Sequence, residues 1–202
     1  MGHHGGHGHG RDMEFDAARY ESGAQGRFSQ RFHRLIVEQA PLRPGAQVLD
    51  VGCGPGLLLA RLQDRCAILG HGVDLDQGML EAARRRCPDL EFALASSEAL
   101  PFADGVFDLV TVSLAYHHFH DQAGFAREIR RVLKPAGQLL IAEPRWPAPV
   151  RGLLNAAFRR RGVVARFDGP ARVATDLMAA GFQPVRRRTR GLAQVYVLAP
   201  RP

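Results

Sequence analysis

Residues 47–56 read Gln-Val-Leu-Asp-Val-Gly-Cys-Gly-Pro-Gly, a short apolar run that breaks into glycines at alternating positions. Residues 57–63 then take a helical composition, Leu-Leu-Leu-Ala-Arg-Leu-Gln. A run this short that stops at glycine predicts a strand, and strand, tight loop and helix in succession open an α/β unit. Downstream the pattern repeats, with strand 71–74 and helix 77–86, strand 91–95, strand 107–112, helix 122–133 and strand 138–142. Such alternation calls for a mostly parallel sheet with helices on both faces, a doubly wound α/β fold. Beyond Pro144, helices near 149–160 and 171–180 precede two runs, 183–188 and 194–199, expected to close the sheet edge as an antiparallel pair. Upstream, Phe28, Phe32, Leu35 and Ile36 recur at helical spacing until Pro41, Pro44 and Gly45 stop the helix.

Composition narrows the class. The 202 residues, 46% of them hydrophobic, suffice for one core and predict a single domain over 13–202. No stretch reaches the roughly 20 apolar residues that span a bilayer, and the N-terminus has no apolar signal core, so no membrane span and a cytoplasmic location are expected. The first ten residues hold four histidines and five glycines, and residues 1–12 are expected to be disordered and outside the fold. Histidines so spaced can chelate Ni(II) or Cu(II), but affinity is not a role, and no metal site is assigned. Cys53, Cys66 and Cys87 lack Cys-x-x-Cys spacing and read as small buried apolar residues. The net charge of +7 is concentrated late: from Arg145 onward twelve arginines face only Asp168 and Asp176. That basic third would attract an anionic substrate, a membrane surface or nucleic acid, or it reflects arginine standing in for lysine, of which Lys134 is the only example. The second reading is preferred, because no aromatic residues interleave with the arginines.

In an open parallel sheet, ligands bind beyond the carboxyl ends of the strands, so the loops there carry the function. Gly52, Gly54 and Gly56 let the main chain turn sharply and approach a ligand closely. Their Gly-x-Gly-x-Gly spacing differs from the Gly-x-Gly-x-x-Gly of dinucleotide folds. Asp50 just before them would repel a pyrophosphate but suits a ligand bearing an ammonium group, as S-adenosylmethionine does. Asp74, at the end of the second strand, can accept hydrogen bonds from both hydroxyls of a ribose. Leu75 either covers one face of an adenine or packs in the core.

The ordered segments VLDVGCGPG, GVDLDQGMLEAA, SSEALPFADGVFDLV and EIRRVLKPAGQLLIAEP resemble those of methyltransferase type 11, the group that includes ubiquinone and menaquinone biosynthesis C-methyltransferases. The resemblance covers residues 44–144 and implies a Rossmann-like fold and S-adenosyl-L-methionine as cofactor. It further implies that Gly52, Gly54 and Gly56 wrap the methionine part, that Asp74 holds the ribose, and that Ser96 and Ser97 border the adenine. The chain departs from the family at Ser96, where an aspartate is usual, and at Ala136-Gly137, where a glycine pair follows Lys-Pro in a turn. About 145–170 is then a substrate-side insertion.

After the fourth strand comes Ser113-Leu114-Ala115-Tyr116-His117-His118-Phe119. His117 either takes a proton from the acceptor as a general base or serves a structural role beside the cofactor. Tyr20 and Tyr116 are expected to line the acceptor space, and Arg145 and Arg151, near Trp146 and Phe158, to meet an anionic or aromatic acceptor. The expected activity is methyl transfer to a small molecule, with nucleic acid not expected as a partner. The alternatives are a cofactor-binding or metal-handling protein without turnover, a nucleic-acid methyltransferase and a nicotinamide-dependent oxidoreductase. The glycine spacing, Asp50 and the lack of a Tyr-x-x-x-Lys pair oppose the oxidoreductase. Ser-Leu-Ala-Tyr in place of Asn-Pro-Pro-Tyr opposes the base methylase.

Overall fold

The structure, a computed structural model, describes residues 23–163 and 165–201. The His/Gly-rich segment 1–12 and Tyr20 lie outside the described residues. The chain runs α1 (Ala24–Gln39), β1 (Gln47–Val51), α2 (Leu57–Arg65), β2 (Leu69–Asp74), α3 (Gln77–Arg86), β3 (Glu91–Leu94) and β4 (Phe107–Ser113). A short 3₁₀ turn (Tyr116–His118) follows, then α4 (Gln122–Val132), β5 (Leu133–Pro144), α5 (Ala148–Arg160), α6 (Pro170–Ala179), β6 (Phe182–Arg190) and β7 (Ala193–Pro200).

Among the described residues the strands form one sheet in the order β3-β2-β1-β4-β5-β7-β6. Strands β1 to β5 are parallel, and β7 runs antiparallel between β5 and β6. The predicted terminal pair is therefore present, with the last strand of the chain inside and β6 at the edge. Side chains alternate between two cores, as the two-residue period of a strand requires. Val48, Leu109, Leu140 and Val197 meet Phe32 and Ile36 of α1, Leu58 and Leu62 of α2 and Leu80 of α3. Leu49, Val110, Val112, Ile141 and Leu198 meet Phe125 and Ile129 of α4 and Leu177 of α6. Because both faces are covered, the central strands read as nearly continuous apolar runs.

The Asp76 carboxylate accepts from Met79 N–H and starts α3; that of Asp121 accepts from Gly124 N–H and starts α4. The expected Lys-Pro-Ala-Gly turn is instead part of β5. Leu133 pairs with Phe107, the register shifts, and pairing resumes at Gln138 with Leu109. Pro135 has no N–H for the ladder, and Gly137 lies where an added Cβ would sit 2.9 Å from the Phe107 carbonyl oxygen. Order reverses between β1 and β4, so the loops after β1, β2 and β4 converge at one switch point.

Candidate functional site

The glycine loop is folded back over the end of β2. Gly52 N–H and Cys53 N–H both donate to the Val73 carbonyl, at 2.8 and 3.0 Å. Gly54 N–H donates to Asp74 Oδ2 at 2.8 Å, and Asp76 N–H to Asp74 Oδ1 at 3.1 Å. Asp74 thus shapes the loop as well as facing the space beyond it. Burial pushes its carboxyl above the ordinary range, against the pull of the Gly54 and Asp76 donors. Two of the glycines are required by geometry. Gly52 has φ +70° and so little space that a Cβ would fall 2.5 Å from Ala115 Cβ. Gly54 has φ +50° but open space beside it, as a cradle for a ligand needs.

Asp50 is buried at the end of β1, where Thr111 Oγ1 donates to its Oδ1 at 2.7 Å. Burial pushes its carboxyl up to about 7; the Thr111 hydrogen bond opposes this and the Asp74 charge adds to it. A small cavity lies beside it, lined by His33, Asp50, Gly52, Gly54 and Ser113 among others. His33 Nδ1 and Ser113 Oγ are buried there without a hydrogen-bond partner. Burial, helped by Arg61, brings His33 down to about 4, so it is neutral at physiological pH.

Leu75 is 72% exposed beside Asp74, so the core-packing alternative does not apply to it. Ser96 Oγ donates to Glu98 Oε2 in a short hydrogen bond, Ser97 is buried, and Glu98 Oε1 accepts from Asp121 N–H at 3.3 Å. The hydroxyl of Ser96 is therefore engaged with Glu98, and Glu98 ties this loop to α4.

At the exit of β4, Leu114 has φ +57°, a left-handed conformation that a branched side chain resists. It turns the chain so that Ala115 abuts Gly52 and the 3₁₀ turn crosses to the α4 and α6 side. There His117 Nδ1 lies 2.7 Å from Glu143 Oε2, both side chains buried. The imidazole stacks on Phe167 at 4.3 Å with planes 24° apart. Tyr116 is buried, with its phenol pushed well above its ordinary range by burial and by the charges of Asp176, Asp168 and Glu143. Arg145 is exposed, its N–H donating to the Leu192 carbonyl, and Arg151 lies against Gly169. Neither arginine lines the space around His117 and Glu143.

The sequence reading passed over His33, Ser113, Glu143 and Gln194. Each carried a signal, a polar residue inside an otherwise buried stripe. His33 follows Phe32 on the inner face of α1, Glu143 is the last residue but one of β5, and Gln194 is the second residue of β7.

Residues 49–141 match the family model described as a methyltransferase domain. Over that segment, slightly under half of the chain, the sequence is similar to this family. The chain is 36% identical over 115 residues to a demethylmenaquinone methyltransferase of Renibacterium salmoninarum, covering 57% of this chain and 48% of that protein. The chain thus spans about half the length of the curated relatives it matches. Among solved structures, a chain from the Haloferax volcanii complex of the Trm112 methyltransferase activator with a methyltransferase superposes with TM-score 0.79 at 19% identity, covering 93% of this chain and 98% of that one. An S-adenosylmethionine dependent methyltransferase from Mesorhizobium loti superposes with TM-score 0.70 at 20% identity, over 82% and 96% of the two chains. These likenesses establish a Rossmann-like fold for this chain.

The cofactor that this family implies is S-adenosyl-L-methionine, and the residues fit it. An ammonium and a carboxylate need polar partners, and the cavity beside Asp50 offers a buried carboxylate together with the unpartnered atoms of His33 and Ser113. A ribose needs acceptors, and Asp74 keeps lone pairs free after its two main-chain bonds. Among the described residues no helix is long and apolar enough to cross a membrane.

Proposed function

We propose that this chain transfers the methyl group of S-adenosyl-L-methionine to a small-molecule acceptor. The observation that carries this reading is the glycine loop held by Asp74 beside a cavity with a buried carboxylate, Asp50. In the proposal, Gly52, Gly54 and Gly56 wrap the methionine part and Asp50 faces its ammonium. Asp74 accepts from the ribose hydroxyls, Leu75 covers the adenine, and Ser96 and Ser97 border its edge. The donor supplies an already activated methyl carbon on a sulfonium, so the protein's task is orientation, which alone lowers barriers by roughly 7–11 kcal/mol at its upper limit.

His117 is our choice of base for an acceptor that must lose a proton, and Tyr116 lies beside it at the β4 exit. The Glu143 carboxylate 2.7 Å from Nδ1 holds the ring in one orientation, which supports that choice over a purely structural role for His117. The acceptor is proposed as a small molecule because relatives named demethylmenaquinone methyltransferases share the core.

The test is release of S-adenosylhomocysteine by the purified chain over a panel of quinone precursors, phenols, amines and thiols. Turnover with at least one acceptor that falls strongly in His117→Ala is the expected result. Silence across the panel, with donor binding intact, would make the chain a cofactor-binding protein without turnover.

A further inference from the structure

The cluster at the end of β5 contains more polar capacity than the fold uses. Tyr116, His117, Glu143 and Gln194 are all more than nine-tenths buried. The His117 Nδ1 to Glu143 Oε2 contact of 2.7 Å is the hydrogen bond that joins members of this group. Three oxygens of the cluster, Glu143 Oε1, Gln194 Oε1 and Tyr116 OH, are buried without a hydrogen-bond partner. Buried polar atoms are satisfied in nearly every protein, so three converging on one space mark a place where something else supplies the partner.

The chemistry of that partner follows from the atoms. A carboxylate oxygen and an amide oxygen only accept, so the incoming group must bring a hydrogen. Charge adds a second restriction. Glu143 and Asp168 both line the space, and Arg166, the guanidinium that lines it, is engaged by Asp168 Oδ2 at 3.0 Å and Gln122 Oε1 at 3.3 Å. A carboxylate ligand would therefore meet negative charge without a free cation.

The space is closed, with a cavity of ≈ 10 Å³, room for a hydroxyl group but not for a ring carrying it. Its roof is the segment 165–168. Arg166 N–H donates to the His117 carbonyl at 2.7 Å. Asn155 of α5 holds Phe167 at both main-chain groups, at 2.9 and 3.0 Å. A lifting roof has to break those three bonds, the Arg166 contact with Gln122 Oε1 at 3.3 Å, the Arg172–Asp168 ion pair at 3.7 Å and the Phe167 stacking on His117, while α5 itself has no buried residue.

We infer that Tyr116, Glu143 and Gln194 form a recognition subsite for a neutral hydroxyl group on the acceptor, with Glu143 also acting as a positioning residue for His117. The inference rests on the methyl-transfer reading in naming this ligand the acceptor. The hydroxyl donates its single hydrogen to Glu143 Oε1 or Gln194 Oε1 and accepts from the Tyr116 O–H, and segment 165–168 opens to admit the rest of the molecule.

The test uses the full chain loaded with S-adenosylhomocysteine, whose own heat of binding is recorded first, then titrated with 2-naphthol, 2-methoxynaphthalene and 2-naphthoate. Naphthol should bind about tenfold or more tightly than its ether and the carboxylate, the worth of one charge-assisted hydrogen bond. Glu143→Gln should collapse the discrimination against naphthoate. Gln194→Leu should bring naphthol toward its ether, and keeps the question answerable where the first variant folds poorly. The ¹⁵N shifts of the His117 ring should move on naphthol binding in the wild-type chain and follow a different course in Glu143→Gln. Equal affinities for naphthol and ether, or ratios unmoved in both variants, overturn the subsite and leave a cluster that encloses one water. Donor heat without a hydroxyl preference overturns the subsite alone. Absent donor heat overturns the methyl-transfer reading and with it the naming of this ligand as acceptor.

Discussion

Asp50 concentrates the electrostatic cost of the site in one side chain. Its carboxyl is raised to about 7 chiefly by burial, against about 3.9 in an unfolded chain. Between those two values the unfolded chain has released a proton that the folded chain retains, so the contribution of Asp50 to stability falls as pH rises from about 4 to about 7. His33, lowered to about 4, works in the opposite sense over about 4 to 6.5, so the comparison must be made against a variant. Asp50→Asn should lose less stability than the wild type between pH 5 and pH 8, measured by denaturant unfolding, and should lose the rise in donor affinity that the wild type shows as Asp50 ionises. A parallel pH dependence in both proteins would remove Asp50 from the ammonium site. The glycines offer a steric test on the same scale. Gly54→Ala meets open space and carries only the left-handed strain of roughly 1–2 kcal/mol, about 2–8 °C in midpoint for a chain of this size. Gly52→Ala adds a collision with Ala115 and should lower the midpoint further and abolish donor binding; equal midpoints for the two would contradict the packing described.

At the scale of elements, the parallel core and the 148–168 region obey different physics. Strands β1, β4 and β5 are fixed by burial on both faces, and their apolar runs bounded by glycine were legible in the sequence for that reason. The bulged start of β5 was not, because Lys-Pro-Ala-Gly has the composition of a turn. Its strand pairing depends on Phe107 and on Lys134 reaching Asp108 at 2.9 Å, contacts distant in sequence. The glycine loop and Asp74 were legible as local spacing, whereas Glu143 and Gln194 came together only through the β5 and β7 pairing, across 50 residues of chain. Helix α5 has no buried residue and is held by Asn155 at Phe167 and by the ring contact of Phe158 with Phe167 at 5.9 Å. Asn155→Ala should leave the global midpoint within about 2–4 °C of wild type, the worth of roughly 1 kcal/mol, while raising hydrogen exchange across 148–168. Unchanged exchange in that segment would show that the clasp is not what holds it.

Over the whole molecule, the positive charge and the site are separate features. The arginines of β6, Arg186, Arg187, Arg188 and Arg190, are exposed on the edge strand, where charge discourages pairing with another sheet, and Arg190 meets Glu38 of α1 at 3.3 Å. The proposed donor site instead lies at the switch point, built from a buried acid, a half-buried acid and main-chain donors. Binding there should depend little on ionic strength, unlike contact with a polyanion, whose affinity falls steeply with salt. The account as a whole stands on recognition of a sulfonium nucleoside by Asp74 and the loop it holds. Isothermal calorimetry of the purified chain with S-adenosyl-L-methionine and with S-adenosylhomocysteine tests this most directly. One site should bind both, and Asp74→Asn should weaken both by about 10- to 150-fold, the equivalent of a charge-assisted hydrogen bond of roughly 1.5–3 kcal/mol. No heat from either compound, or full affinity in the variant, would contradict the account.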